Sequence, residues 1–412
     1  MDSATCSAAT PQPLSARQPR LGHKGLVVFL ALLSAFVPLS TDLYLPALPL
    51  MTQYFGVAEY QTNLTLILFF VFYALATLIW GPLSDRYGRR PILLLGLTGY
   101  TLASALCALA VDINQLIACR VLQAVGAGAA SAVATAIVKD SFQGRRRESI
   151  LALVQSMVVI SPAVAPVIGA LLLSLSSWRA GFAAQAVVGM VVVALSIAYE
   201  ETLEKRGTGD VMRTLGRLAV VLRNPAFTSL LIIFSMVSIT TMAFISSSSY
   251  IYQDTFALGS QVYSFYFAFN AAGLLAGPLL YMRLATRFSR SAIVSTGFGI
   301  MALSGLLVVA LGGRAPWAFA LTLLPATIVA SCVRPPGTFL MLEQQQDDAG
   351  SASALMSACQ MVMGSVGMVI ISFDWGSRVR AVGMVDIVFG LLCGGLWLVA
   401  GRRQSLGQTE GG

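Results

Sequence analysis

The sequence predicts an all-α membrane protein with twelve transmembrane helices arranged as two pseudo-symmetric six-helix bundles. Composition, the number of long apolar segments and an internal repeat support this prediction. The 412 residues are 57% hydrophobic and only 11% charged, with a mean hydropathy of +0.78, whereas soluble domains carry about 25% charged residues. This composition excludes a soluble fold. The net charge of +8 therefore has to be interpreted by its position relative to a bilayer, and we expect no nucleic-acid partner.

The spans follow from apolar segments separated by short polar loops, because about 20 apolar residues cross the hydrocarbon core of a bilayer. The longest polar interval, 200–224, separates two sets of six spans. We predict spans at 25–51, 61–83, 91–111, 115–138, 149–175, 180–199, 225–252, 260–282, 291–311, 316–342, 350–373 and 381–400. The predicted domains are a disordered N-terminal tail (1–24), an N-terminal bundle (25–199), a cytoplasmic linker (200–224), a C-terminal bundle (225–400) and a C-terminal tail (401–412).

The basic residues predict the orientation, since cytoplasmic loops of membrane proteins are enriched in Lys and Arg. With both termini in the cytoplasm, 20 of the 26 Lys and Arg residues lie on the cytoplasmic side and four on the outer side. Arg120 and Arg334 fall within spans. The loop 343–350 is an exception, because it is acidic although it should be cytoplasmic.

An internal repeat supports the division into halves. Gly81–Leu83 closes the second span and recurs as Gly277–Leu279 at the end of the eighth, about half the chain later. Three arginines follow each copy. Two halves of the same topology imply a parallel repeat, in which a ligand is held between the halves near the middle of the membrane.

The first span contains one charged residue, Asp42, together with Pro38, Pro46 and Pro49. An acid at membrane depth is costly when it is ionised and unpaired, so such residues mark ion or substrate pathways. The prolines loosen the helix and release backbone groups that need a cavity or a neighbouring helix. Two interpretations remain open: Asp42 is a titrating acid facing a central cavity, or a structural acid neutralised by a permanent partner.

Several kinds of chemistry are not indicated. The single histidine, His23, precedes the first span, and the six cysteines show no metal or disulfide spacing. No His/Glu metal motif, paired catalytic aspartates or serine–lysine arrangement occurs within the spans. We therefore expect no metal, no cofactor and no enzyme activity.

The loop Gly81–Pro91 has the sequence GPLSDRYGRRP. It resembles the loop signature between the second and third helices of the major facilitator superfamily. In that family the acid and the arginines latch the cytoplasmic side of the two halves, which implies gating roles for Asp85, Arg86, Arg89 and Arg90. The alternative is an ordinary basic cytoplasmic loop.

Two further motifs are similar to those of the same superfamily. In the fourth span Arg120, Gln123 and Ala127 share one helical face, as in the family's fourth-helix arginine motif, although Ala124 stands where glycine is usual. The fifth span contains Pro162, Pro166 and Gly169 in SPAVAPVIG. This stretch resembles the Pro/Gly motif of the superfamily's antiporters, which implies a gating role, although small residues also serve ordinary close helix packing.

The segment Leu39–Pro49, LSTDLYLPALP, resembles the bicyclomycin- and chloramphenicol-resistance (Bcr/CflA) drug:proton antiporters. The resemblance covers nearly the whole chain, is strongest over 35–205 and fails in span ten, at Arg334. It implies proton-coupled efflux of drug-like amphiphilic compounds, chloramphenicol- or bicyclomycin-like, across the bacterial inner membrane by alternating access. The implied partners of a monomer are a small-molecule drug, protons and the lipid bilayer. The alternative is a major facilitator transporter that exports a single physiological metabolite.

Depth connects the candidate residues. At a rise of about 1.5 Å per residue, Asp42 lies about 14 Å and Arg120 about 9 Å below the outer surface. Burial favours the neutral form of a carboxyl group and a nearby arginine favours the ionised form. We therefore expect Asp42, as proton carrier, to communicate with Arg120 directly or through Gln123 and water. The predicted substrate-binding residues are Asp42, Tyr44, Arg120, Gln123, Phe244, Tyr266, Phe269 and Asn270.

Two charged residues within spans of the second half have open roles. Arg334 precedes Pro335 and Pro336 and is expected to pair with an acid, to bind the carbonyls that the prolines release, or to bind an anionic substrate. Asp386, near the start of the last span, is either a second functional acid or a hydrated acid close to the loop.

Overall fold

The computed structural model describes residue 18 and the ranges 20–203, 211–345 and 348–409. Most of the predicted N-terminal tail, residues 204–210 of the predicted linker and the last three residues of the predicted C-terminal tail lie outside the described residues. Within the described ranges the regular structure is helical and contains no strand.

Twelve described helices are long and apolar enough to cross a membrane, which confirms the predicted fold class. They are Lys24–Phe55, Glu59–Tyr87, Arg89–Leu109, Ile113–Ser141, Gly144–Leu175, Arg179–Ala198, Pro225–Thr255, Ser260–Leu284, Arg290–Arg314, Pro316–Glu343, Ala349–Ile371 and Arg378–Ala400. A further helix, Val211–Leu222, lies between the halves in sequence. The helix of the twelfth span continues to Thr409, so residues 401–409 of the predicted tail are helical.

Span one is not a continuous helix. It consists of the helix Gly22–Asp42, a 3₁₀ turn Leu45–Ala47 and the helix Leu48–Phe55. Pro46 and Pro49 stand in the first turns of the second and third pieces, where a missing N–H costs little. The break leaves carbonyl groups at the end of Gly22–Asp42 without helical donors.

Span ten is broken as well, into Pro316–Cys332 and Arg334–Glu343. Pro335 and Pro336 follow the break and have no N–H to continue the hydrogen-bond ladder of the preceding helix. The break places Arg334 at the start of the second piece.

Helices within each half approach closely at small residues. A Cβ at Gly126 of span four would lie 2.5 Å from the carbonyl oxygen of Gly96 and 2.7 Å from the nitrogen of Tyr100, both in span three. In the second half, a Cβ at Gly305 of span nine would lie 2.5 Å from the carbonyl oxygen of Gly383 of span twelve. Glycines at these crossings let the backbones pack without intervening side chains.

The two halves meet through spans two and eleven and through spans five and eight. We call the membrane side on which both chain ends lie the terminal side, and the opposite side the far side. Between described residues, the hydrogen bonds and ion pairs that join the halves lie at the far side. They are Thr52–Tyr250, Asn63–Ser372, Gln253–Pro46, Gln261–Ser174, Ser264–Pro166, Ser365–Ile67 and Arg378–Glu59.

Burial follows the same pattern. Residues 40–49 at the far end of span one are all buried, whereas Val28 nearer the terminal side is 57% exposed. Span seven is continuously buried from Ala243 to Tyr252, whereas Ile232, nearer the terminal side, is 44% exposed. We infer that the halves are closed at the far side and leave a hollow that opens on the terminal side.

Candidate functional site

Asp42 is the last residue of the helix Gly22–Asp42 and lies at the closed end of the hollow. Its side chain is buried, with 5% of its surface exposed, and Oδ1 accepts a hydrogen bond of 3.1 Å from Thr41 Oγ1. Among the described residues no arginine, lysine or histidine forms an ion pair with it. Four residues later, the carbonyl of Pro46 accepts a hydrogen bond from Gln253 of the second half. Asp42 therefore lies beside the junction of the two halves.

Arg120 of span four is fully buried and has no acidic partner among the described residues. Its guanidinium donates to main-chain oxygens, to Ser40 O at 2.9 Å and to Thr65 O at 3.4 Å. It also donates to Gln123 Oε1 and, at 3.4 Å, to Tyr44 OH.

Aromatic rings surround the same guanidinium. The Arg120 Cζ atom lies 4.2 Å from the centre of the Phe69 ring, 4.6 Å from that of Tyr44 and 5.8 Å from that of Phe182. Ring faces attract cations, and the attraction strengthens when water is excluded. The rings and carbonyls together replace the counter-ion that a buried charge normally needs.

The carbonyls of span one explain why a cation is stable at this place. Ser40 is in the last turn of Gly22–Asp42, where carbonyls lack helical donors and the helix dipole is negative. Arg120 binds the Ser40 carbonyl, and Gln185 Nε2 donates to the neighbouring Leu39 carbonyl at 3.4 Å. The arginine and the glutamine thus stabilise the helix end next to Asp42.

Asp42 and Arg120 were expected to communicate directly or through Gln123 and water, and the hydrogen bonds and ion pairs between described residues include no direct contact between the two side chains. Ser40 and Asp42 are two positions apart, and about 200° of helical rotation separates their side chains. Arg120 occupies the Ser40 side, while the described hydrogen-bond donor to Asp42 is Thr41. The connection that the structure does contain is the helix end itself, since both residues belong to or bind its last turn.

Gln123 extends the buried polar network across the first half. Its amide donates to Ser104 Oγ of span three and to Gln185 Oε1 of span six, both at 2.7 Å. Ser40 Oγ and Tyr100 OH form a further hydrogen bond of 2.6 Å. Ser104, Gln185 and Tyr100 are not among the predicted site residues, although a glutamine within the otherwise apolar sixth span indicates a buried polar contact.

Span five packs directly on the break in span one. A Cβ at Gly169 would overlap the carbonyl oxygen of Leu43 and lie 2.8 Å from its carbon. The Pro166 carbonyl accepts a hydrogen bond of 2.9 Å from Ser264 Oγ of span eight. Pro162 lies one turn earlier in the same helix. The Pro/Gly motif thus contacts both the break and the second half.

The predicted residues of the second half have different surroundings. Phe244 is buried and stacks on Phe267, with centroids 5.8 Å apart. Tyr266 stacks on Tyr252 at 5.0 Å. Asn270 is fully buried; Nδ2 donates to the Tyr266 carbonyl at 3.3 Å, and Oδ1 has no described partner.

Phe269 differs from these residues because 42% of its surface is exposed. It continues a helical stripe of exposed residues with Val262, Phe265, Ala272 and Ala276, and Ser264 on another face contacts span five. The stripe therefore faces away from the junction of the halves, and we leave Phe269 out of the proposed site.

The residues of the predicted gate form contacts within the first half. Arg89 pairs with Asp85 at 2.6 Å and with Asp140 of span four at 2.9 Å. Arg90 Nη2 donates to the Ile197 carbonyl at 2.6 Å. Arg86 lies over the Tyr87 ring at 5.3 Å. No described hydrogen bond or ion pair joins these residues to the second half, in agreement with a hollow open on this side.

Glu201, after span six, binds the main chain of two residues of the predicted gate. Its carboxylate accepts hydrogen bonds of 3.0 Å from the main-chain N–H groups of Arg89 and Arg90. These groups begin the helix of span three, and an acid is stabilising at a helix N-terminus. The described residues contain no candidate metal site, since no group of three His, Cys, Asp or Glu residues among them is placed to hold a metal ion.

Known membrane transporters are similar to this chain in sequence. The family model of the Major Facilitator Superfamily matches residues 30–368. The chain is 27% identical over 393 residues to an uncharacterised MFS-type transporter, YdgK, of Bacillus subtilis (strain 168), covering 93% of this chain and 97% of the relative.

Two relatives with more specific names match over shorter stretches. A chloramphenicol resistance protein of Pseudomonas aeruginosa is 36% identical over 44% of each chain. The multidrug resistance protein MdtL of Escherichia coli O9:H4 (strain HS) is 34% identical over 39% of this chain and 41% of its own length.

A solved structure shares the fold. The bacterial homologue of the human lysosomal transporter Spinster, in an inward-facing and unoccupied conformation, superposes with a TM-score of 0.72. It is 16% identical, and the match covers 95% of this chain and 98% of that one. With its twelve candidate spans and the match over residues 30–368, the chain is a multi-pass membrane transporter and belongs to the Major Facilitator Superfamily.

Proposed function

We propose that the protein exports drug-like amphiphilic compounds in exchange for protons, with Asp42 as the proton carrier. The observation that carries the proposal is a buried carboxyl group without a described cationic partner, at the break of span one and beside the junction of the halves. A carboxyl group in this setting is stable when neutral and costly when ionised. Loss or gain of its proton therefore changes the stability of the closed far side.

Arg120 supports this role without touching the acid. It stabilises the helix end that carries Asp42 through the Ser40 carbonyl. When the carboxyl group ionises, its negative charge lies at the negative end of the helix dipole, and the nearby guanidinium offsets part of that repulsion. The relatives named for chloramphenicol and multidrug resistance support a drug substrate and export from a bacterial cell across its inner membrane.

The driving force is sufficient. One proton crossing a potential of 100 mV supplies about 2.3 kcal/mol, and each unit of pH difference supplies about 1.36 kcal/mol. Exchange of one proton for one neutral drug molecule therefore sustains a concentration ratio of tens-fold or more.

The test uses purified protein in proteoliposomes with chloramphenicol. We expect Asp42→Asn to abolish chloramphenicol uptake driven by a pH gradient and to retain exchange of labelled for unlabelled chloramphenicol, which needs no net proton movement. Asp112→Asn, which changes an acid that caps the helix Ile113–Ser141, is the control and should keep both activities.

Undiminished pH-driven uptake by Asp42→Asn would remove Asp42 from the coupling mechanism. Exchange confined to one metabolite, with chloramphenicol and other drugs inactive, would instead favour the metabolite exporter.

A further inference from the structure

Arg334 lies at the break of span ten, at the start of the helix Arg334–Glu343. Residues one or two turns away on the same side of the span, Thr327, Ala330, Gly337 and Met341, are all buried in the protein. Gly337 lies against Phe234 of span seven. Arg334 therefore projects from the protein-facing side of the span.

The lipid-facing side of span ten is a different stripe. Trp317, Leu321 and Phe339 are exposed by 61%, 52% and 42% and line up at helical spacing. At about 100° per residue, Arg334 is roughly 100° away from Trp317 and roughly 140° away from Leu321 and Phe339. Arg334 nevertheless has exposed surface. A charge at membrane depth avoids lipid and faces protein or water, so the exposed surface belongs to the hollow between the halves.

The guanidinium of Arg334 has no partner among the described residues. No acid forms an ion pair with it, so the first of its three predicted roles is not fulfilled. The carbonyls that Pro335 and Pro336 release do not accept a hydrogen bond from it, so the second is not fulfilled either. Arg120 provides the contrast, since every side of that guanidinium meets a carbonyl, an amide or a ring.

The acidic and the basic residue of the hollow therefore differ in their exposure. Asp42, at the closed end, is buried, whereas Arg334 presents an uncompensated cation to the open part. Arginine binds carboxylates and other oxyanions through two parallel hydrogen bonds. We propose that Arg334 binds an oxyanion group of the transported compound, so that the preferred substrates carry a carboxylate or a similar acidic group. This inference rests on the proposed transport function only in placing the substrate in this hollow.

The test compares two dyes with the same ring system and opposite charge, anionic 5-carboxyfluorescein and cationic rhodamine 6G. Fluorescence anisotropy with purified, delipidated protein measures their affinities. We expect wild-type protein to bind the anionic dye more tightly. Arg334→Gln should weaken its binding at least tenfold, equivalent to about 1.4 kcal/mol, and leave rhodamine 6G within twofold. Arg334→Lys should retain part of the preference, and inorganic phosphate should compete with the anionic dye.

Arg287→Gln is the matched control, because Arg287 is an exposed arginine on the terminal side after span eight, and it should not change either affinity. Equal wild-type affinities for the two dyes, or equal losses of both in Arg334→Gln, would overturn the proposal. Displacement of the dye by phosphatidylglycerol but not by phosphate would assign the arginine to a lipid headgroup and also overturn it.

The outcome is separable from that of the transport proposal. Failure of Asp42→Asn to alter proton coupling leaves the dye comparison intact. Equal affinities for the anionic and the cationic dye would likewise leave the proposal of proton-coupled export of neutral drugs intact.

Discussion

The far-side closure is predicted to depend on two amide side chains, that of Asn63, which is buried, and that of Gln253, which is partly buried. Asn63 Nδ2 donates to Ser372 Oγ at 3.0 Å, and Gln253 Nε2 donates to the Pro46 carbonyl at 2.9 Å. Replacing both amides with alanine, Asn63→Ala and Gln253→Ala, removes these bonds. Ser372 keeps its own bond to the Met368 carbonyl, at 2.6 Å.

Hydrogen bonds between membrane helices contribute about 0.6 kcal/mol each on average. The double variant therefore favours opening of the far side by about 1.2 kcal/mol, or about eightfold. A far-side-open population of about 2% would rise to about 13%. The Glu59–Arg378 pair is about one-third exposed on both sides, and a pair with this exposure contributes little, so Glu59→Gln should shift the population less.

The assay measures distances between spin labels in lipid nanodiscs by double electron–electron resonance. The labels are attached at Tyr60→Cys and Phe373→Cys, far-side positions in opposite halves that are 53% and 65% exposed, after replacement of the native cysteines. The double variant should gain a longer-distance population. Gln115→Ala is the control, because the Gln115 amide accepts a bond of 3.0 Å only from Val111 of the same half. Unchanged distances in the double variant, or an equal change in Gln115→Ala, would refute the reasoning.

Three further substitutions test the first half. Gly169→Ala places a Cβ on the Leu43 carbonyl, an overpacking worth about 1–3 kcal/mol, and should lower the Tm and drug exchange; an unchanged Tm would contradict this packing. Glu201→Ala removes the acid that caps the helix of span three. The lost stability of about 1 kcal/mol should lower the Tm in detergent, whereas the control Glu200→Ala should leave the Tm unchanged. Arg120→Lys keeps the charge but loses the planar fork, so exchange in proteoliposomes should fall at least tenfold; wild-type exchange would show that charge alone suffices.

The spans were predictable from the sequence because bilayer thickness fixes their length and polar loops fix their ends. The prediction 180–199 corresponds to Arg179–Ala198, and the prediction 291–311 to the helix Arg290–Leu311. The prolines of span one indicated a weakened helix, but not that Pro38 would lie inside it while Pro46 would begin a new turn.

The surroundings of the site were less predictable, since they depend on helix rotation and on backbone groups. Phe269 and Asn270 are neighbours in sequence, yet one is exposed and the other fully buried. Two partners of Arg120 are the carbonyls of Ser40 and Thr65, and the sequence does not indicate which main-chain oxygen a side chain will bind. Contacts between the halves join residues such as Asn63 and Ser372, whose pairing depends on which side of the protein is closed.

Three of the far-side hydrogen bonds run in the same direction, from a side chain of the second half to the main chain of the first half. This direction affects which positions can change in evolution. Gln253, Ser264 and Ser365 of the second half donate to main-chain oxygens of the first half, those of Pro46, Pro166 and Ile67, at 2.9, 2.9 and 3.5 Å. Every polypeptide supplies such acceptors whatever side chain it carries. The first half is therefore free to diverge at these three acceptor positions, and a hybrid that joins a relative's first half to this second half should keep the acceptors of these three bonds.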